Sequence, residues 1–431
     1  MIEATVKTES GLSQFHIELA NFAEFGEKTL VESRVFGKKI VPVFTNEFWT
    51  AKQRDGHSIH EVSYRACYKP QLPRFFIERL TNKNDVVYDP FLGRGTTLIE
   101  ANLLGRRVVG NDVNPLSEIL TSPRLDLPHL FEIKDKLAEI SLDKIDCESS
   151  ELLVFFHPNT LSEILSWRNY FAERRENETF DKVDAWLEMV ACNRLTGHSK
   201  GFFSVYTLPP NQAASVKSQA KINEKRNQIP EYRNTKEIIY RKSHQLLRNK
   251  LPNSFGKNPF QINIGSADFT PEIENQSVDL IVTSPPFLDI VNYRQDNWLR
   301  MWFANVEIAE DACWQIRSLD DWLDKMKSAF AEFYRVLKPS GVIAFEVGEI
   351  RKGNLLLENE VAKVAIEVGF NVDCILINSQ NFTKTANCWG VKNNEEGTNT
   401  NRIVVLTKSE TTHNFRYIPQ KSSIQEQLTL F

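Results

Sequence analysis

The clearest pattern of hydrophobic and polar positions lies between residues 85 and 117. An apolar run, Val86–Tyr88, predicts a short buried strand that ends at Pro90, because proline has no N–H to donate to a sheet. Apolar residues then recur at helical spacing, at Leu98, Ile99, Ala101, Leu103 and Leu104. Gly105 ends this helix, and a second strand, Arg107–Gly110, leads to Asp112. The pattern therefore predicts strand, turn, helix and strand, followed by an acid.

Helices and further strands follow the same rules elsewhere. Apolar spacing predicts a helix at Gln71–Leu80 and a helical region over Leu125–Leu195, in which Trp167 and Phe171 pack a core. Five more apolar runs predict strands at Gln261–Ile264, Val278–Val282, Val342–Val347, Val372–Ile377 and Asn401–Leu406. The sequence thus predicts an α/β protein with a seven-stranded Rossmann-like sheet and a largely helical insert between the second and third strands.

The turn after the first strand suits an adenosine-bearing cofactor. Gly93 and Gly95 allow a tight turn and close approach of a ligand, and Asp112 can accept hydrogen bonds from ribose hydroxyls. A dinucleotide fingerprint fits poorly, because Leu98 stands where a third glycine is required, and the lysine of a phosphate loop is absent. An ordinary βαβ turn with surface acids is the remaining alternative.

Three groups of residues narrow this choice. They are Asp89-Pro90-Phe91-x-Gly93-x-Gly95-Thr96-Thr97, Glu100-Ala101 and Gly110-x-Asp112-x-Asn114-Pro115. Together they resemble the cofactor half of the S-adenosylmethionine-dependent amino-methyltransferases of DNA. The resemblance implies that the sheet is a methyltransferase sheet and that S-adenosylmethionine is the cofactor. It also implies cofactor-binding roles for Tyr68, Asp89, Pro90, Phe91, Gly93, Gly95, Thr96, Asp112 and Asp268. Within this set, the resemblance places Tyr68 over the methionine end, assigns the ribose to Asp112 and assigns the adenine amino group to Asp268. A turn residue at the end of a strand is the alternative for Asp268.

A stiff turn follows the predicted strand Val278–Val282. Its residues Ser284, Pro285, Pro286 and Phe287 resemble the catalytic tetrapeptide of the same family. An exocyclic amine of a base is a poor nucleophile, and two hydrogen-bond acceptors on its N–H groups favour the reactive geometry. The Ser284 hydroxyl and the Pro285 carbonyl can supply them, while Phe287 can stack on a base that has been flipped out of the helix. No metal is required. Serine at the first position resembles the cytosine-N4 members more than the adenine-N6 members.

Composition and charge exclude few classes of protein. The net charge of −4 gives no global sign of nucleic-acid binding, no apolar run approaches membrane-spanning length, and no signal peptide is evident. The six cysteines form no CxxC pair, so they are expected to be reduced thiols in a cytoplasmic protein. His57 and His60 have no evident partner acid, which favours structural or surface roles.

A local basic run contrasts with the acidic chain. Residues 217–250 hold ten basic and three acidic side chains, a net charge of +7. Lysines at four-residue spacing lie between Gln219, Asn223 and Gln228, whose amides could read base edges. We expect DNA contacts from Lys217, Lys221, Lys225, Arg226 and Arg233; a solvated helix face is the alternative.

The last residues carry one further motif. The tail is polar and ends Gln427-Leu428-Thr429-Leu430-Phe431, which resembles the peptide by which bacterial proteins dock on the replication sliding clamp. The resemblance implies clamp-binding roles for Gln427, Leu428, Leu430 and Phe431, and a frayed terminus is the alternative.

These observations predict an organisation and a function. The expected regions are an N-terminal segment (1–47), a cofactor half (48–124), a helical insert that is a candidate for target recognition (125–258), a catalytic half (259–408) and a tail (409–431). The expected function is site-specific methylation of cytosine N4 in duplex DNA, within a restriction-modification system that can include a cognate endonuclease. Adenine-N6 methylation, RNA amino-group methylation and an inactive DNA-binding subunit are the alternatives. The glycine turn comes first in this chain and the tetrapeptide last. In members of the resembled family with this order, the region that recognises the DNA sequence usually follows the adenine-binding acid, whereas here the insert precedes Asp268.

Overall fold

The structure of the protein is a computed structural model. It describes residues 13–50, 56–208, 213–286, 293–308, 318–348, 356–379 and 400–408, together with Trp314 and Ile316. No helix within these ranges is long and apolar enough to cross a membrane.

One mixed sheet of nine strands organises the fold. The strands are β1 Leu30–Phe36, β2 Lys39–Asn46, β3 Val86–Asp89, β4 Arg107–Asp112, β5 Phe260–Ile264, β6 Val278–Thr283, β7 Leu337–Val347, β8 Asn371–Ser379 and β9 Thr400–Thr407. Their order across the sheet is β1-β2-β8-β9-β7-β6-β3-β4-β5. Strands β5, β4, β3, β6 and β7 are parallel neighbours, and β9 runs antiparallel to both β7 and β8.

Thirteen α-helices are assigned within the described ranges. They are α1 Gln14–Ala20, α2 Gln71–Leu80, α3 Thr96–Leu103, α4 Leu116–Thr121, α5 Leu130–Glu139, α6 Pro158–Glu176, α7 Lys182–Arg194, α8 Val216–Arg226, α9 Thr235–Leu246, α10 Tyr293–Asp296, α11 Trp298–Ala304, α12 Leu319–Val336 and α13 Leu357–Val368. Helix α2 has the predicted bounds. Helices α4 to α9 lie between β4 and β5 in the chain, where helical structure is predicted.

The predicted number of strands is wrong, because the chain adds a hairpin before the first expected strand. Strands β1 and β2 pair antiparallel, and β2 joins the sheet beside β8. The residues of β1 are largely exposed, so the strand lacks the apolar alternation that would have marked it. A second correction concerns β7, which begins at Leu337 rather than after Gly341, because Leu337 pairs with Val278 before a bulge.

The two faces of the sheet are covered by separate hydrophobic clusters. Val87 and Leu280 face the cluster that includes helices α2, α3 and α5 to α9, so the helices between β4 and β5 share one core with those next to the cofactor half. Tyr88 and Ile281 face the other cluster, which is built on α12 and α13. Because both faces are covered, the central strands are buried along their whole length.

Buried aromatic residues hold the helical region together, as predicted. Trp167 and Phe171 are 0% and 1% exposed, and their rings stack with centroids 5.5 Å apart. The indole of Trp167 donates a hydrogen bond to Thr235 Oγ1 at 2.9 Å, which ties α6 to α9.

The four cysteines in the described part of the chain, Cys67, Cys147, Cys192 and Cys374, are free thiols. Cys313 and Cys388 lie outside it.

The chain order creates a crevice beside β3. From β3 the chain runs outward through β4 to β5, and it then returns to β6 on the other side of β3. Ligands of open α/β sheets bind where the strand order reverses in this way, outside the carboxyl ends of the strands. Residues that follow β3, β4 and β6 are therefore the ones that the fold can bring together.

Candidate active site

The turn between β3 and α3 requires glycine at two positions. Gly93 and Gly95 have φ of +54° and +74°, in the left-handed region that other residues adopt only with strain. A Cβ on Gly95 would lie 2.4 Å from the Thr121 side chain. A Cβ on Gly93 would point toward Tyr64 and Cys67, so this glycine keeps the space above the turn open. The turn thus packs tightly on one side and leaves a cavity on the other.

Asp112 fixes the end of β4 against this turn. Its two carboxylate oxygens accept hydrogen bonds from the backbone N–H groups of Gly93, at 2.7 Å, and of Asn114, at 2.9 Å. Burial raises the pKa of Asp112, and these hydrogen bonds to the ionised form oppose the rise. The remaining lone pairs of the carboxylate can still accept hydrogen bonds from a ligand.

A cavity of about 680 Å³ lies over the turn. Seven of the predicted site residues line it: Tyr68, Phe91, Gly93, Thr96, Asp112, Ser284 and Pro286. The fold therefore brings the predicted cofactor loop and the predicted catalytic tetrapeptide to one cavity, although almost 200 residues separate them in the sequence. Asn114, which belongs to the motif that ends in Pro115, also lines the cavity, as do Tyr64 and Trp314, which the sequence did not mark.

A smaller cavity, of about 250 Å³, continues from the first. The two share Phe91, Asp112, Val113 and Trp314, and the smaller one adds Pro90, Gly265 and Ala267. Asp268 follows Ala267 directly but is absent from the lining, and its carboxylate lies 3.8 Å from Lys325 Nζ. The segment that contains Asp268 thus reaches the cavity, whereas the Asp268 side chain does not line it.

Asp89 and Gly95 do not line the cavity, although Tyr68, Gly93 and Thr96 next to them do. The Asp89 carboxylate is 1% exposed and accepts hydrogen bonds from Thr283 Oγ1 at 2.6 Å and from the Tyr68 hydroxyl at 3.1 Å. Burial raises the pKa of Asp89 to about 6, although the hydrogen bonds from Thr283, Phe91 and Tyr68 oppose the rise. The carboxylate therefore ties the end of β3 to the end of β6, next to Ser284.

Ser284 and Pro286 are partly exposed to the cavity, and Pro285 is buried. The Pro286 carbonyl accepts a hydrogen bond from the Trp322 indole at 3.0 Å, which holds the turn against α12. Phe287 lies outside the described residues.

A buried acid that the sequence analysis missed supports Ser284. In the parallel pair of β6 and β7, Thr283 lies opposite Phe345, so Ser284 and Glu346 are the next residues along the two strands. The Glu346 carboxyl is hydrogen-bonded to Ser284 and accepts a hydrogen bond from Asn401 Nδ2 at 3.0 Å. Burial raises the pKa of Glu346 to about 7, even though both hydrogen bonds favour the ionised form. A proton acceptor near neutral pH thus lies one hydrogen bond from the predicted catalytic serine.

His60 corrects another expectation, because it does have an acidic partner. Its Nε2 lies 2.7 Å from Glu100 Oε2, and Arg74 bonds the second oxygen of the same carboxylate at 2.9 Å. His60 is 4% exposed and burial lowers its pKa, so the predicted structural role is consistent with this packing. His57 caps a short helical turn at Ser58–His60.

The predicted DNA-binding residues lie on and near α8. Lys217, Lys221, Lys225 and Arg226 are exposed. Arg226 lies over the Tyr206 ring at 3.8 Å, and Arg233 pairs with Glu231 at 3.2 Å.

The amides between these lysines face inward, contrary to the expectation that they read bases. Gln219 and Gln228 donate hydrogen bonds to the Tyr206 carbonyl, and Asn223 donates one to the Val154 carbonyl. The predicted clamp-binding residues, Gln427, Leu428, Leu430 and Phe431, lie outside the described part of the chain.

The chain is similar to known proteins in the segments that contain the glycine turn and the Ser284 turn. A family model described as DNA methylase matches residues 17–118 and 278–429, more than half of the chain. Residues 119–277, which include the predicted insert and Asp268, fall between the two matched segments.

Curated relatives include two bacterial enzymes. The Type II methyltransferase M.BsoBI of Geobacillus stearothermophilus is 24% identical over 64% of this chain, and the Type II methyltransferase M.MvaI of Kocuria varians is 24% identical over 60%. The matches span 57% and 59% of the length of these relatives. A tRNA (guanine(10)-N2)-dimethyltransferase of Methanocaldococcus jannaschii is 26% identical over 27% of this chain and 36% of its own length.

Solved structures with a detectable likeness include other methyltransferases. A SAM-dependent methyltransferase from Methanosarcina mazei is 10% identical, covers 76% of this chain and 94% of its own, and has a TM-score of 0.32. A putative DNA modification methylase from Thermus thermophilus, complexed with S-adenosyl-L-methionine, is 18% identical, covers 39% and 60%, and has a TM-score of 0.21.

The match of the family model covers both segments that contribute to the cavity, the glycine turn and the Ser284 turn. The chain therefore belongs to the DNA methylase family, the S-adenosylmethionine-dependent amino-methyltransferases that its motifs resemble.

Proposed function

We propose that the protein transfers a methyl group from S-adenosylmethionine to the N4 amine of a cytosine flipped out of duplex DNA at a specific site. The observation that carries this proposal is the common cavity of the glycine turn and Ser284. Direct transfer requires the donor methyl group and the acceptor amine to lie side by side, and the shared cavity supports this arrangement.

The residues of the cavity fit the cofactor. The glycine turn leaves space for a ligand above the backbone, and we assign the ribose hydroxyls to the Asp112 carboxylate. Tyr68, Phe91 and Thr96 would hold the rest of the molecule, with Asp89, Pro90 and Gly95 shaping the floor. When bound, S-adenosylmethionine supplies an activated methyl group. Asp268 stays the proposed acceptor for the adenine amino group, on the segment that reaches the smaller cavity.

The tetrapeptide would activate the base. The Ser284 hydroxyl and the Pro285 carbonyl accept hydrogen bonds from the two N–H groups of the amine, and Phe287 stacks on the ring. An amine that has accepted the methyl group would carry a positive charge and one proton in excess.

Glu346 would remove the excess proton through Ser284. One proton passes from the amine to the Ser284 hydroxyl oxygen, and the original hydroxyl proton passes to the ionised Glu346 carboxylate. Proton transfer of this kind is efficient when the acceptor has a pKa near the working pH, as Glu346 does. Asn401, which bonds the same carboxylate, would hold it in position.

Two alternatives concern the group that receives the methyl group. Adenine-N6 methylation uses the same chemistry, and the serine of the tetrapeptide is what favours cytosine. RNA is the other alternative, since one of the relatives is a tRNA dimethyltransferase.

A decisive experiment incubates the protein with methyl-labelled S-adenosylmethionine and mixed-sequence duplex DNA, with RNA in parallel. Each product is then digested to nucleosides. Labelled N4-methylcytosine from DNA is the expected result. Labelled N6-methyladenine would overturn the choice of base, label in RNA alone would overturn the substrate, and no label with intact DNA binding would indicate an inactive DNA-binding subunit.

The remaining assignments are also proposals. We assign target recognition to the helical insert 125–258, with Lys217, Lys221, Lys225, Arg226 and Arg233 contacting DNA. We further propose a cytoplasmic protein of a restriction-modification system, with a cognate endonuclease and, through its last residues, the sliding clamp as partners.

A further inference from the structure

A large groove adjoins the active-site cavity, and five cations and one acid are among the residues that line it. We call it the basic groove; its cations are Lys69, Arg94, Arg194, Lys242 and Arg248, and its acid is Glu61. Together with the open solvent at its mouth it occupies about 1720 Å³, and it shares Tyr64, Ala66 and Cys67 with the cavity. The two spaces are therefore neighbours on either side of one short segment.

The cations of the groove outnumber its carboxylate, and that carboxylate is already engaged. Glu61 pairs with Arg248, one bond being 3.0 Å long, and lies 3.7 Å from Lys242 Nζ. Throughout the described ranges, no carboxylate lies within 4.0 Å of the guanidinium of Arg94 or Arg194. This excess of positive charge is notable in a chain whose net charge is −4.

The two inner arginines are held by neutral groups only. Arg94 is 6% exposed and donates hydrogen bonds to the Val62 carbonyl at 2.7 Å and to the Thr96 hydroxyl at 3.2 Å. Arg194 is 8% exposed, donates to the Asn193 carbonyl at 3.0 Å and to its side-chain oxygen at 2.7 Å, and lies over the Phe202 ring. Neutral acceptors orient a buried guanidinium but do not compensate its charge, so an anion in the groove would be attracted strongly.

Lys242 shows the same excess of charge. It is 6% exposed on α9, and burial followed by repulsion from Arg194 lowers its pKa to about 8. A nearby anion would reverse part of this shift, because it favours the ionised form. The exposed lysines of α8 differ, since water already compensates their charge.

We propose that the basic groove binds the phosphodiester backbone of duplex DNA next to the flipped base. This inference rests on the proposed function, which places that base in the adjoining cavity. A nucleotide rotated out of the helix stays joined to its two phosphates, so those phosphates must lie at the edge of the cavity. Arginine and lysine side chains at that edge both position the strand and neutralise its charge.

Two substitutions that remove a cation and one that removes the acid test the groove. In Lys242→Gln and in Arg194→Gln, duplex DNA should bind on the order of tenfold more weakly at low salt, because each removes a charged partner of a phosphate. The slope of log Kd against log salt concentration should fall by about one for each phosphate that the variant no longer neutralises. Glu61→Gln should have the opposite effect and tighten binding, which damage to the fold would not do.

Binding is measured by fluorescence anisotropy of labelled duplex DNA, without turnover, and with an RNA duplex of the same sequence in parallel. The matched control is Lys327→Gln with Lys363→Gln, two exposed lysines on α12 and α13 across the sheet. Thermal unfolding checks that each variant is folded.

Unchanged affinity and salt slope in all three groove variants would overturn the proposal, as would loss of RNA binding with DNA binding intact. Because binding needs no methyl transfer, the result is separate from the nucleoside analysis. A groove that binds DNA in a protein that labels no nucleoside would refute the proposed reaction alone.

Discussion

Replacing Glu346 with glutamine tests the role of the buried acid behind Ser284 in two independent ways. Glutamine keeps the size of the side chain and one acceptor oxygen, which can still receive the hydrogen bond of Asn401, but it cannot ionise. In the wild-type protein, burial raises the pKa of Glu346 from 4.5 to about 7. At about 1.36 kcal/mol per pKa unit, holding the ionised form in the folded protein therefore costs roughly 3 kcal/mol.

The sign of the effect on stability depends on whether the folded or the unfolded state binds the Glu346 proton more tightly. Below about pH 4.5 the carboxyl is neutral in both states. Between that pH and about 7 the unfolded chain releases the proton while the folded protein retains it, so the free energy of unfolding falls as pH rises. The wild-type protein should therefore lose roughly 3 kcal/mol over this range that Glu346→Gln does not lose. Asp89 titrates in both proteins and cancels in the comparison.

The sign for activity is the opposite. Glu346 accepts a proton only when ionised, so kcat of the wild-type protein should rise as pH increases through about 7. In Glu346→Gln, kcat should be on the order of a hundredfold lower and this inflection should be absent. In Asn401→Ala, which removes a hydrogen bond to the ionised carboxylate, the inflection should move to higher pH.

Urea denaturation at several pH values measures the first effect, and initial rates of methyl transfer over the same range measure the second. Parallel stability curves for the wild-type protein and Glu346→Gln would refute the raised pKa. An unchanged inflection of kcat in the variant would refute the proton path through Ser284, even if the stability curves behave as expected.

Three further variants test the cavity. Gly95→Ala should lower the free energy of unfolding by roughly 3 kcal/mol, because position 95 has a left-handed φ and the new Cβ would lie 2.4 Å from the Thr121 side chain. Urea denaturation measures this loss. The control Gly26→Ala, at a φ of +91° with nothing within 4 Å of its Cβ, should lower the free energy of unfolding by only about 1 kcal/mol. Asp112→Asn should raise the KM for S-adenosylmethionine on the order of tenfold in steady-state kinetics, and an unchanged KM would contradict the ribose assignment. Ser284→Ala should lower kcat on the order of a hundredfold while anisotropy shows undiminished DNA binding; equal loss of both would indicate a structural role.

Some residues of the candidate site could be predicted from the sequence, and others could not. Gly93, Asp112 and Ser284 were predictable, because each belongs to a motif that directly follows an apolar strand. Glu346 was not, because its neighbours in the stretch Val342–Val347 are all apolar and mark only a buried strand. Only the pairing of β6 with β7 brings it beside Ser284. The basic groove was hidden for a similar reason: Lys69, Arg94, Arg194 and Lys242 come from four separate segments.

The amides on α8 and just after it show how a local pattern can mislead. Gln219, Asn223 and Gln228 alternate with lysines in the sequence, which favours a surface that reads DNA. In the fold, the backbone carbonyls of Tyr206 and Val154 take up their donors. Spacing along a helix predicts which residues share a face, but the neighbours that the face meets come from elsewhere in the chain.

The sequence by itself determined the elements whose signals are local. Apolar runs marked β3, β4 and β6, and apolar residues at helical spacing marked α2, since burial and the loss of backbone hydrogen bonds act within a few residues. Tertiary structure alone decided what depends on distant pairing. The exposed strand β1 joins the sheet because β2 pairs with β8, more than 300 residues away. The pKa of Glu346 rises to about 7 because the surrounding core excludes water. Contacts between distant segments and the exclusion of water arise only once the chain has folded, so no local pattern of residues encodes them.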